Sequence, residues 1–167
     1  MVDPDFPDAT PPDQPTAWRE AHLRRLLDSH VRLTGRPLLD IDPHQPLAPQ
    51  FWRAPQVIVS HGTEADPILN YGNRLALERW QMPWPTFVHT PSRFTAEPVA
   101  REARAALLAR VSRDGFIDGY QGVRIAANGQ RFRILQAVIW NVVDAEGVDY
   151  GQAASFCRWE DLPPTGG

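Results

Sequence analysis

The chain has one cysteine, Cys157, no lysine, and no apolar run long enough to span a bilayer. A lone cysteine excludes an internal disulfide framework and any multi-cysteine zinc site. The longest apolar runs, such as Ala137-Val138-Ile139-Trp140, fall far short of the ~20 residues that a membrane helix needs. The start of the chain is polar and proline-rich, which is not the pattern of a signal peptide. An excess of positive charge is missing too: the net charge of −3 argues against holding duplex nucleic acid by bulk phosphate neutralisation. The expectation is a cytosolic protein with neither membrane nor nucleic acid as a partner. All 17 basic residues are arginine. That side chain suits bidentate recognition of carboxylate or phosphate, but the missing lysine reads first as codon bias.

What is present is ordinary for a globular domain: 167 residues, 43% hydrophobic and 22% charged. Such a length buries about two-thirds of the unfolded chain's surface in one core. The 17 prolines cluster and so mark boundaries. Residues 1–15 read as a disordered arm and residues 161–167 as a disordered tail. Residues 16–50 form a helix and a connector, and residues 51–160 form the main domain. Thr16 caps a helix whose first turns hold Glu20 at the positive end of its dipole, and Gly35 and Pro37 end it. The proline-broken connector, 36–50, is expected along the surface. Residues 57–61 and 67–71 read as short antiparallel strands, and Asn73 opens a helix. Residues 82–98 hold four prolines and allow only short helical turns. A helix follows, with Val99, Ala103, Leu107 and Val111 on one stripe and Gly115 at its end. Three strands close the chain, at 116–126, 131–143 and 148–159, the first two joined by the Asn128-Gly129 turn.

Strict alternation along 131–143 sets Phe132, Ile134, Gln136, Val138, Trp140 and Val142 on one face, with Gln136 the polar exception. Arg131, Arg133, Leu135, Ala137, Ile139 and Asn141 take the other. The second face is half apolar, so the leading helix, a second copy of the chain, or both should cover it. The expected fold class is α+β: a five-stranded antiparallel sheet with helices on one face and an amphipathic N-terminal helix.

Two strands, a helical cluster and a three-stranded meander resemble the PAS fold. The text of the chain is similar to one branch of it, the MEKHLA domain. The resemblance rests on VIVSHGTEADPILNYGNRLALERW (57–80), PSRFTAEP (91–98), GFIDGYQGVRI (115–125), NGQRFRI (128–134) and GQAASFCRW (151–159). The stretch HLRRLLDSHVRLTGRPLL (22–39) resembles the lead-in of free-standing bacterial members. The domain is known from the carboxy-terminal region of plant homeodomain–leucine-zipper factors, whose basic region and heptads have no counterpart here. PAS-like domains sense small molecules, light or redox state, or mediate dimerisation. The resemblance therefore implies a sensory or regulatory module, and it supplies no catalytic residues. With no output domain attached, a signal would pass by contact with a protein partner, and a homodimer through the leading helix and outer sheet face is the expected assembly.

A PAS pocket lies between the inner sheet face and the helices, so polar and aromatic residues there are the candidates. PSRFTAEP holds no cysteine for flavin photochemistry, and only His89, in the proline-rich loop, offers a haem ligand. Arg93 is a candidate clamp for an anionic ligand, or else the partner of Glu97 one helical turn on. Gln136 and Gln152 are candidates to read ligand heteroatoms or to bond one another. Tyr71, Trp80, Trp84, Phe132 and Trp140 could wall a flat ligand or simply be core. His61, Glu64 and Asp66 lack any recognised metal-ligand spacing and read as a polar turn, with His61 a ligand-contact candidate. Two alternatives stay open: a packed dimerisation module without a ligand, and a small hydrolase or isomerase using His61 with Asp66. The identity of any ligand or cofactor is unknown at this point.

Overall fold

A computed structural model describes residues 10–96 and 98–163, without the side chains of residues 98–100. The outer part of the expected arm, Glu97, the side chain of Val99 and the end of the expected tail lie outside the described residues. The first helix, α1 (Ala17–Thr34), begins as expected: Thr16 Oγ1 accepts from Arg19 N at 3.0 Å, and Gly35 closes it at φ 75°. Residues 10–15 differ from the reading as a disordered arm. The buried Arg19 guanidinium donates to Pro11 O, Gln14 O and Thr10 O at 2.7, 2.5 and 3.0 Å, which folds this segment onto α1.

The connector is not a surface strap either. It contains α2 (Leu47–Trp52) and buries Leu38, Leu47, Ala48 and Phe51. Glu20 makes this possible, since its two carboxylate oxygens accept from Leu47 N and Ala48 N at 2.8 Å each. A carboxylate read as serving its own helix thus caps the next one, supplying acceptors to N–H groups that have no partner within α2.

Strands β1 (Val57–His61) and β2 (Leu69–Gly72) lead into α3 (Arg74–Trp80), which Asn73 caps through Ala76 N. A short helix, α4 (Trp84–Phe87), and a 3₁₀ turn (Ser92–Thr95) precede α5 (Pro98–Asp114). The chain closes with β3 (Phe116–Ile125), β4 (Arg131–Val143), β5 (Asp149–Phe156) and β6 (Arg158–Leu162). The sheet is antiparallel in the order β2-β1-β5-β4-β3, with β6 continuing along β4. The last expected strand is broken at Cys157, and Asp161 and Leu162, assigned to the tail, pair with β4.

One local feature decides which residues meet. Gln136 has φ 53°, and the β3–β4 register slips between Tyr120 and Gly122, with three residues of β4 spanning two of β3. This is a β-bulge, and an extra residue reverses the alternation beyond it. The single-face assignment of Phe132 and Trp140 is therefore corrected. Phe132 packs on Trp80 of α3 at 5.4 Å between ring centroids. Trp140 lies on the opposite face, where its Nε1 donates to Ser29 Oγ of α1 at 3.0 Å and His30 meets its ring edge. The sheet is thus covered on both faces, by α1 and α2 on one and by α3, the 3₁₀ turn and α5 on the other.

Candidate functional site

Between the second of these faces and its helices lies a cavity of about 60 Å³. Trp80, Thr95 and Leu108 close it from the helical side, and Ile134, Ala137, Ile139 and Ala154 form its apolar floor. Besides Ser60 and Thr95, the polar residues along its wall are His61 from β1, Arg104 from α5, Tyr120 and Arg124 from β3, and Gln152 from β5. The antiparallel pairing of β1 with β5 sets His61 directly opposite Gln152. Gly151 lets the strands come this close: a Cβ there would collide with His61 O, and its φ of 116° disfavours any other residue.

His61 is 9% exposed. Its Nδ1 lies 3.0 Å from Gly62 O. A carbonyl only accepts, so Nδ1 carries the proton and the neutral ring presents Nε2 as an acceptor. That atom is buried without a hydrogen-bond partner among the described residues. Burial, helped by the charge of Arg104, lowers the His61 pKa, against the opposing pull of Gly62 O, Glu64 and Asp149. Arg104 is itself lowered to about 10, by burial first and then by the charge of Arg124. Arg124 donates to Val123 O at 2.9 Å and to Tyr120 Oη at 3.3 Å. Neither arginine pairs with a carboxylate among the described residues. The Gln152 amide nitrogen is held by Leu108 O, Ser112 Oγ and Asn141 Oδ1, at 3.0 to 3.1 Å.

Of the eight candidate residues, the fold brings only His61 and Gln152 to this cavity. Gln136 sits exposed at the bulge, so it neither faces Gln152 nor enters the interior; Asn141 is the amide that Gln152 meets. Arg93 is also exposed: Nε bonds both oxygens of Asp66 at 3.1 Å, while its guanidinium lies over Phe94. That ion pair holds Asp66 outside while His61 lines the interior, so no His61–Asp66 pair forms. Tyr71 and Trp84 pack with Phe51 and Arg19 at the α1 and α2 side, where burial raises the Tyr71 pKa and its hydroxyl has no hydrogen-bond partner among the described residues. Phe132 belongs to the packed layer against Trp80, and Trp140 to the α1 face.

Arg104, Tyr120 and Arg124 belong to no motif in the sequence. Arg104 stands three and seven residues before Leu107 and Val111, on the buried side of α5, and Tyr120, Arg124 and the buried Ala126 share one parity on β3. Charged residues at inward positions were the available signal. A flavin ring system does not fit a space of about 60 Å³, and no thiol lines it. His89 bonds Pro85 O at 2.8 Å, is exposed, and is not part of the wall. Among the described residues no group of three His, Cys, Asp or Glu is placed to hold a metal. No described helix is long and apolar enough to cross a membrane.

A five-stranded antiparallel core whose helices border a small cavity on one sheet face is the architecture of a PAS domain. Solved structures agree. The chain is similar to the PAS domain of a protein from Colwellia psychrerythraea, with 14% identity, 70% of this chain and 93% of that one covered, and a TM-score of 0.57. It is also similar to the light-state dimer of the fungal blue-light photoreceptor Vivid, with 13% identity, coverage of 90% and 99%, and a TM-score of 0.56. No curated protein matches the sequence. The sequence model of the MEKHLA domain matches residues 20–161, and the chain belongs to that family. The match takes in α1 from Glu20 onward as well as the sheet.

Proposed function

We propose that this protein is a non-catalytic sensory or regulatory module that takes a small ligand into the inner cavity and passes its state on by protein contact. The carrying observation is the cavity wall: an interior built only for packing would not bring to one space two arginines and a buried imidazole nitrogen that find no carboxylate and no hydrogen-bond partner, respectively, among the described residues. Buried polar groups cost free energy unless something bonds them. Strand β1 supplies a route outward. His61 lines the cavity, while the adjacent Ser60 lies 2.9 Å from His22 Nε2 on α1. A ligand that shifts His61 acts through one peptide unit on the helix that covers the far face.

In this reading the protein works in the cytosol, and its output is the outer surface of α1, where Val31 is 45% exposed, meeting a second copy or another protein. The test is to denature purified protein and identify the small molecules released, for the wild type and for Ala154→Leu, which fills the cavity floor. A compound released by the wild type and missing from the variant supports the reading. No compound from either protein points to a packed partner-binding module instead.

A further inference from the structure

The polar groups at the cavity also say what kind of molecule would occupy it. Arg104 makes no hydrogen bond or ion pair among the described residues, although it is partly buried and lies close enough to Arg124 to be affected by its charge. Arg124 is 7% exposed, and among the described residues it bonds a backbone carbonyl and the Tyr120 hydroxyl. Guanidinium groups are planar forks of donors that match a carboxylate or phosphate in a bidentate manner. Both residues line the cavity, and the charge of Arg124 disfavours that of Arg104, a conflict that an anion beside them would relieve. The chain has 20 acidic residues, yet none of those described is spent on either arginine.

The third polar group has the opposite demand. With its proton on Nδ1, His61 has an acceptor free at Nε2, to which nothing among the described residues donates. An occupant that satisfies the whole wall therefore carries an anionic group for the arginines and a hydroxyl or N–H donor for His61. Size narrows the class. The cavity measures about 60 Å³, room for a small organic molecule and not for a multi-ring cofactor.

We infer that Arg104, Arg124 and His61 form a binding site for a small hydroxycarboxylate of two or three carbons. The carboxylate lies between the guanidiniums and the hydroxyl donates to His61 Nε2. This rests on the reading of the cavity as a ligand site and specifies its chemistry.

The test is calorimetric titration of the full chain with glycolate and lactate, beside acetate, neutral glycolamide and inorganic phosphate. The expected order is glycolate or lactate tightest, acetate weaker for want of a hydroxyl, and glycolamide without measurable binding. Arg104→Gln and Arg124→Gln should each weaken glycolate about tenfold to a hundredfold, as expected for the loss of a charge-assisted contact. His61→Phe should remove the preference for glycolate over acetate while acetate binding stays. Circular dichroism of each variant establishes that it is folded, and Arg104→Lys, which keeps the charge, should recover part of the affinity. Glycolamide binding as well as glycolate, phosphate binding tighter than either hydroxy acid, or arginine variants that bind like the wild type would each overturn the inference. So would the absence of binding by every acid. A neutral compound released from the denatured wild type but not from Ala154→Leu would overturn the anion assignment alone and leave the sensory reading standing.

Discussion

The α1 face makes stability depend on pH through His22. This imidazole is 1% exposed, stacks on Trp18 and bonds Ser60 Oγ, which in turn donates to Asn70 Oδ1. Burial, reinforced by the charge of Arg25, lowers its pKa from 6.5 to about 3. The folded value lies below the unfolded one, so between the two the unfolded chain binds a proton that the folded protein refuses. Stability is complete above pH 6.5 and falls as the pH drops toward 3. A tenfold difference in proton affinity between the folded and unfolded chain is worth about 1.4 kcal/mol, so the loss from His22 is about that much by pH 5.5 and levels off near 5 kcal/mol. Burial also lowers the pKa of His30 and of His61, so both add losses of the same sign. The assay is urea unfolding at pH 7.5, 6.5 and 5.5, a range that leaves most carboxylates ionised, for the wild type and for His22→Gln. Glutamine keeps a donor for Ser60 and removes the titration. The variant should lose about 1 kcal/mol less than the wild type between pH 7.5 and 5.5, whatever its starting stability. Parallel losses in the two proteins would refute the argument.

Ser29→Ala should cost about 1 to 3 kcal/mol in urea unfolding, because it leaves the buried indole N–H of Trp140 without an acceptor. Ser29→Thr should recover part of that loss. Gly151→Ala should be far more damaging, since the added Cβ meets His61 O at a backbone angle that suits only glycine; little folded protein by circular dichroism is the expected result. At the bulge, Gln136→Gly should change the urea midpoint by less than about 1 kcal/mol or raise it, and Gln136→Val should lower it by more than that, because a β-branched residue resists φ 53°. Equal effects from the glycine and valine substitutions would mean that the positive φ is absent.

Much of the fold is readable from local chemistry. Thr16 and Asn73 are N-caps, Gly35 and Gly115 end helices at positive φ, and Asn128-Gly129 turns β3 into β4, because each acts on neighbours within a few residues. The features that escaped are those in which one residue changes the meaning of a pattern. A period of two read straight through 131–143 ignores Gln136, although a glutamine among apolar residues on one face marked the place where the alternation fails. The break at Cys157 opposite the bulge has no comparable signal in the sequence. The role of Glu20 escaped because its partners lie 27 and 28 residues away. The site was half legible for the same reason. His61 and Gln152 followed from strand position alone, whereas Arg104 and Arg124 required charge on inward-facing positions to be read as chemistry rather than as solvated surface.

The bulge divides the sheet into two faces, one closed by α1 and the other left for the cavity. Nuclear Overhauser contacts from the Trp140 indole N–H in labelled protein test this most directly. Contacts to Ser29 and His30 of α1, with the Phe132 ring seeing Trp80, are the predicted result. Contacts from the Trp140 indole to Leu108 or Tyr120 across the cavity would put that ring on the other face and contradict the account.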